Sequence, residues 1–344
     1  MKKIFLASFI FTAPLLFAQD SLFTNSDTLA EEKKPVKIFA SERAINANTT
    51  EIVGKGKMEF LVTHNFDDLA GTRGGLKNFF GLDNSTDIRI GFHLGLTDRL
   101  NLQVARSKGG NPMAKFAVFP FYELGLKYQL MRQYENDPSH PFAVTLYANN
   151  VITSRNSSYT APRINGVSTD TALNQPHTFQ NFGDRMSQTL QLNIAKKIRK
   201  VSVQLSFTMV HQGYVPLHDE ETIFALGGIL RLPLMRNLNL VMDYFHPFRS
   251  KESRDYFKQV DDSFNPPGDI DKNSTAFRFY DPLGVGFEII TPGHIFHIKF
   301  TNATQILENR FIPYTVTSWG KGQFRWGFTI SRSFVLWREK QTPN

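Results

Sequence analysis

The sequence predicts an all-β protein: a closed antiparallel transmembrane β-barrel of about 12 strands (roughly 10–14), with short periplasmic turns and long extracellular loops. Three observations predict it. The chain opens on an export signal. Apolar and polar residues then alternate in twelve runs of strand length. The connections between those runs alternate between long and short.

The export signal comes first. Lys2 and Lys3 form a basic start, Ile4 to Phe17 an apolar core, and Ala18 a small residue at a cleavage point. Residues 1–18 read as a cleaved secretory signal. No other window reaches the ~18 consecutive apolar residues of a membrane helix. Mean hydropathy is −0.28, yet 13% of residues are aromatic and 32 are Phe. The 39 basic residues exceed the 31 acidic ones only mildly. Lys196, Lys197, Arg199 and Lys200 form the nearest basic cluster. It lacks interleaved aromatics and reads as a charged turn, so no nucleic-acid partner is expected. There is no cysteine. An exported chain without one has no disulfide framework, no thiol-ligated metal and no cysteine-linked lipid anchor.

Residues 19–55 are polar and weakly patterned, and are expected either as a periplasmic leader or as a segment that partly enters the lumen. The barrel is expected over 56–337, with a C-terminal tail at 338–344. The twelve runs are 57–65, 86–96, 99–106, 121–131, 141–151, 187–198, 201–211, 222–232, 238–247, 282–291, 294–302 and 324–337. In YELGLKYQL, Tyr122, Leu124, Leu126, Tyr128 and Leu130 share one face, opposite Glu123, Gly125, Lys127 and Gln129. In VSVQLSFTMV, Val201 to Met209 alternate in the same way. Period two marks a strand; the i, i+3, i+4 spacing of a helix is missing.

The connections carry further information. Long ones are expected at 66–85, 107–120, 152–186, 212–221, 248–281 and 303–323. Shorter ones fall at 97–98, 132–140, 199–200, 233–237 and 292–293. Long loops at one end and short turns at the other are the layout of outer-membrane barrels. Register agrees. A turn at Pro292-Gly293 sets Ile289 opposite Phe296 and Glu288 opposite His297. A turn at Arg199-Lys200 sets Leu192 opposite Phe207, and one at Thr97 to Arg99 sets Phe92 opposite Val104. A slip of one residue would scramble this like-with-like pairing.

In a soluble barrel the apolar face points inward; in a membrane barrel it meets lipid and the polar face lines the lumen. The apolar faces are about five residues long, enough for the ~9–11-residue strands that cross a bilayer. Aromatics gather near strand ends, at Phe119, Phe121, Tyr122, Tyr244, Phe245, Trp319, Trp326, Phe334 and Trp337. Glycine recurs on the polar face, where a curved lumen is crowded. The membrane assignment makes Arg89, His93, Glu123, Lys127, Asp243, Glu288, His297, Lys299 and Arg325 lumen-facing. Both signs are present, which suits a structural network or a hydrated constriction but names no preferred ion.

The entry segment ERAINANTTEIVGKGKMEFLVTHNF (42–66) resembles an uncharacterised family of Gram-negative outer-membrane β-barrel proteins. So do TRGGLKNFFGLDNSTDIRIGFHLGLTDRLNLQVARS (72–107) and TPGHIFHIKFTNATQILENRFIP (291–313). The resemblance covers about 40 to 337. It implies fold and location in the outer membrane. It carries over no catalytic or binding residue.

Searched for chemistry, the sequence offers little. A barrel phospholipase would need a serine beside His211 or His246; none is paired with either in the sequence. A rim protease could use His218, Asp219, Glu220 and Glu221, which equally suit a solvated loop. Asp261-Asp262 and Asp269 to Asp271 lack calcium-loop spacing. No catalytic residue, metal site or cofactor is expected. The expected role is a narrow or plugged pore for a small solute. The alternative is a non-conducting scaffold that binds surface or envelope partners through loops 152–186 and 248–281. A barrel hydrolase is the third reading. Expected partners are outer-membrane lipid and the assembly machinery.

Overall fold

A computed structural model of the chain describes residues 34–71, 74–111, 114–155, 163–164, 167–168, 179, 181–216, 218–264 and 277–337. The segment expected as a signal peptide (1–18), the expected leader as far as Lys33, the tail at 338–344 and the acidic run at Asp269 to Asp271 lie outside the described residues.

Twelve strands form the wall: β1 (Lys57–Asp68), β2 (Ser85–Gly95), β3 (Leu100–Asn111), β4 (Ala114–Met131), β5 (Ala143–Thr153), β6 (Met186–Ile198), β7 (Val201–Gln212), β8 (Thr222–Met235), β9 (Leu238–Phe248), β10 (Leu283–Ile290), β11 (Ile295–Thr301) and β12 (Arg325–Val335). Each pairs antiparallel with its sequence neighbour, and β1 closes the ring on β12. A closed ring leaves no free edge. The turns at Pro292-Gly293, Arg199-Lys200 and Thr97 to Arg99 have the expected register. Ile289 faces Phe296, Leu192 faces Phe207 and Phe92 faces Val104.

Burial alternates along each strand. In β2, Asp87, Arg89, Gly91 and His93 are buried, while Ile88, Ile90, Phe92 and Leu94 are not. In β4, Leu124 is 57% exposed and its neighbour Glu123 is buried. The apolar side faces out and the polar side in. That inversion is stable only if the surroundings are apolar and the interior is occupied or hydrated.

Two expectations are corrected. The long loop at 107–120 is absent. β3 and β4 continue as a hairpin past Ser107↔Phe121 and Lys108↔Pro120, with only 112–113 between them. Gly109, Gly110 and Pro120 read as loop residues, but partners across the ladder outweigh local preference. The aromatics near strand ends are not one girdle either. Phe121 and Phe245 point inward and are buried, while Tyr122 and Tyr244 are exposed. Adjacent residues of a strand face opposite sides, so one of each pair must turn in.

Among the described residues, two α-helices lie in the loop-end connections: α1 (Lys251–Phe264) between β9 and β10, and α2 (Glu308–Tyr314) between β11 and β12. The main apolar cluster lies within the ring. Ile38, Phe39, Ala44, Ile45 and Ala47 pack there with Phe245, Ile229 and Val241 of the wall and Phe311 and Ile312 of α2.

Candidate functional site

Residues 34–56 enter and leave at the turn end. Pro35 bridges Tyr134, and the Gly56 amide donates to the Gly95 carbonyl at 3.0 Å. Between these points the chain folds into a hairpin within the ring. Arg43 bridges Asn48, the Ala44 amide donates to the Ala47 carbonyl at 2.8 Å, and the Thr49 amide donates to the Glu42 carbonyl at 2.9 Å. Side chains tie the arms: Thr49 Oγ1 donates to the Ser41 carbonyl, and Glu51 Oε1 accepts from the Ile38 and Phe39 amides at 3.0 Å each. Short polar residues that bond nearby backbone make such a turn without a longer ladder.

Glu42 anchors one flank. Its carboxylate takes Val53 N at 2.8 Å, Gln103 Nε2 at 2.8 Å, Asn101 Nδ2, and His93 Nδ1 at 2.6 Å. Lys127 Nζ stands 3.6 Å away and donates to the Glu42 and Glu51 carbonyls. The tip is anchored by Asp243, which accepts from the Asn46 amide at 2.5 Å, the Ala47 amide at 2.8 Å and Asn46 Nδ2 at 3.0 Å. Lys299 Nζ donates to the Ile45 carbonyl at 3.4 Å. Two glycines make room. A Cβ on Gly284 would lie 2.5 Å from Ile45 Cγ2, and one on Gly286 would meet both the Ile298 carbonyl of β11 at 2.5 Å and Ile45 Cδ1 at 2.7 Å. Glycine on the inner face here is the footprint of the hairpin tip, a sharper reason than curvature alone.

A second insert enters from the other end. In the 302–324 connection, Ile306 N donates to Asp87 Oδ2 at 2.9 Å, and Gln212 Nε2 donates to the Asn309 carbonyl. The two inserts meet. Arg43 Nη2 lies 2.8 Å from Glu308 Oε1, which also accepts from Asn48 Nδ2 at 2.9 Å. Phe245, turned inward on β9, packs edge-on against Phe311 with centroids 5.4 Å apart.

Above the second insert the loops are tied together. Asp219 bonds Arg249 and takes Ser253 Oγ at 2.9 Å and the Tyr314 hydroxyl at 3.1 Å. Burial first, then the Asp219 carboxylate, holds the Tyr314 hydroxyl well above its usual range, so it stays a donor. Phe257 and Val260 of α1 pack there with Phe277 and Tyr314. The sequence HDEE at 218–221 thus serves as a loop tie: Glu220 accepts the Ser250 amide, and His218 lies 3.5 Å from Glu252. Asp261 and Asp262 pair with Arg278.

All nine residues singled out in the sequence are buried on the inward face. They do not form one site. His93 and Lys127 hold Glu42, and Asp243 and Lys299 hold the hairpin tip. Arg89 pairs with Glu123 at 2.9 Å across β3. Glu288 sits among Arg231 at 2.7 Å, Asn239 at 3.0 Å and His297 at 3.5 Å, within the wall. Arg325 Nη2 donates to Thr317 Oγ1 at 3.1 Å, on the second insert. Sequence reasoning did not single out Glu42, Arg43, Asn46 and Glu308. They lie in unpatterned stretches, and the one local hint was the polarity of ERAINANTTE.

Glu42, Glu59 and His93 present ligand atoms within 4.8 Å of one another. Glu42 is already saturated by donors, and Lys127 supplies the positive charge that a metal would bring. The cluster therefore suits hairpin docking better than a cation. On the outer face, His211 bonds Thr222 at 2.9 Å and His246 bonds Asp281 at 2.9 Å. Ser85 Oγ lies 3.3 Å from His64 Nδ1, a pair the sequence reading did not single out. His64 stacks on Phe328, centroids 5.3 Å apart, and no carboxylate orients it among the bonds of the described residues. A nucleophile–base–orienter set is not assembled there.

A family model described as "Membrane bound beta barrel domain (DUF5777)" matches residues 39–334. No curated protein matches the chain. Among solved structures, the chain is similar to the KdgM porin in complex with disordered oligogalacturonate, at 8% identity over 80% of this chain and 99% of that one, TM-score 0.43. It is similar to the COG4313 outer membrane channel from Pseudomonas putida F1, at 12% identity over 84% and 100%, TM-score 0.42. It is also similar to outer membrane phospholipase A from Escherichia coli, at 9% identity over 81% and 91%, TM-score 0.38.

Proposed function

Because the chain belongs to the family of membrane-bound β-barrel domains of unknown function matched over residues 39–334, we propose that it is an exported outer-membrane barrel whose lumen is a plugged pathway for a small solute. The observation that carries this reading is the Glu42 anchor. The hairpin's apolar residues pack into the main cluster, but the flank at Glu42 is held by polar and charged groups of the wall that water can replace. Polar and ionic contacts lose less than apolar packing when water replaces them, so the hairpin can leave a lumen that stays hydrated. The wall behind it carries charge of both signs and favours no ion. In this reading the protein is not an enzyme.

The rival is a closed scaffold that binds through its loops. The linked inserts favour it: Arg43–Glu308 joins the hairpin to the insert from the loop end, and Phe245 of the wall packs on Phe311 of that insert.

Conductance in planar bilayers separates the two. The full chain is expected to be near silent, and a variant lacking residues 34–55 to give open steps. A second variant, Gly284→Leu, displaces the tip while leaving the chain whole and covers the case in which the deletion does not fold. Heat-dependent gel mobility reports ring closure in each. Folded variants as silent as the full chain would overturn the pore in favour of the scaffold.

A further inference from the structure

The outward row of β3 begins Leu100, Leu102, Val104 and then carries Arg106 and Lys108, both exposed. Their cross-strand neighbours are apolar. Arg106 lies between Ile90 and Tyr122, and Lys108 between Ile88 and Pro120. Below them Val104 is 42% exposed on the same face. Two cations therefore stand at the loop-end margin of the apolar exterior. The outward positions of β2, β3 and β5 and the described outward positions of β4 hold no Asp or Glu, and among the described residues neither cation forms an ion pair.

Arg106 is positioned. It lies 4.1 Å over the Tyr122 ring and donates through Nη1 to Ser154 Oγ at 3.2 Å. A guanidinium has five N–H donors in a planar fork, so most remain for an acceptor. Other polar groups at the same margin satisfy each other: Gln188 with Asn150 at 2.9 Å, His211 with Thr222, and His246 with Asp281. At the turn end, Lys196 and Arg332 each lie over a phenylalanine ring, Phe142 and Phe334.

We propose that Arg106 and Lys108, with the Tyr122 face, form a docking surface for the phosphate groups of an anionic membrane lipid in the loop-side leaflet. Phosphate is the acceptor that matches a guanidinium fork beside an ammonium. The apolar row below assigns the source: a lipid sets its phosphate against Arg106 and Lys108 while its acyl chains run over Val104 and Leu102. A free anion gains nothing from that row. The inference rests on the outward face meeting lipid and is independent of whether the lumen conducts.

The test is native mass spectrometry of the full chain in detergent with three probes: diphosphorylated lipid A, its dephosphorylated form and inorganic phosphate. The wild-type chain is expected to retain the diphosphorylated lipid. Retention should fall at least about tenfold for the dephosphorylated form and for Arg106→Gln/Lys108→Gln, the loss of one or two charge-assisted hydrogen bonds. Arg106→Lys/Lys108→Arg, which keeps both charges, should retain most of it. Heat-dependent gel mobility confirms that each ring is closed, and Lys108→Gln alone replaces a double variant that does not close. Equal retention by the neutral variant, or of the dephosphorylated lipid, would overturn the proposal. So would displacement of the lipid by inorganic phosphate at equal concentration.

Discussion

Arg43 and Glu308, both buried, pair at 2.8 Å and join a hairpin that enters from the turn end to an insert that enters from the loop end. Removing one partner strands the other charge out of water. Arg43→Met is expected to cost about 3–5 kcal/mol, against much less for Arg43→Met/Glu308→Leu. Hydrogen exchange over residues 38–53, read through a double-mutant cycle, gives the coupling. An additive cycle would show that the two inserts are energetically separate.

Among the described residues, Glu42 is the only carboxylate that forms ion pairs with both His93 and Lys127. Glu42→Gln keeps the shape and removes the charge. It is expected to loosen the hairpin without opening the ring. The chain has no cysteine, so Ile45→Cys is a single thiol at the tip. Its alkylation should be slow in the Ile45→Cys chain and at least about tenfold faster when Glu42→Gln is added, corresponding to about 1.4 kcal/mol or more of lost docking energy. Unchanged alkylation would remove Glu42 from the docking account.

Gly284 faces Ile45 and Asn46 with no room for a Cβ. Gly284→Leu should expel the tip. Because the obstructing atoms belong to side chains and not to the ladder, the barrel should keep its heat-dependent mobility while protease cleavage within 38–53 rises. Loss of the ring itself would mean that the glycine serves strand pairing.

Leu126 is 47% exposed, between Leu102 and Ala148 on the outer face. Leu126→Arg is expected to cost about 2–4 kcal/mol if that position lies near the bilayer centre. Refolding into vesicles against urea measures it. A cost near zero would place this band in water.

The wall was legible because it obeys period two. Ile88, Ile90 and Phe92 against Arg89 and His93 declare a two-faced strand, and the hairpin at Pro292-Gly293 allows one register. Parity also predicted that Arg89 and Glu123 share a side. It could not show that they bond, because β3 lies between them. The β3–β4 extension was missed because Gly109, Gly110 and Pro120 look like a loop until Asp87 and Phe119 supply ladder partners.

By itself, then, the sequence determined the ring and which face of each strand points in, since alternation is a local property of consecutive residues. Only the tertiary structure decided what fills the ring. Glu42 meets residues 93, 101, 103 and 127, and Asn46 meets 243 and 301. A segment whose partners come from many strands has no period of its own, because its hydrogen bonds are set by a cavity that exists only once the wall has closed.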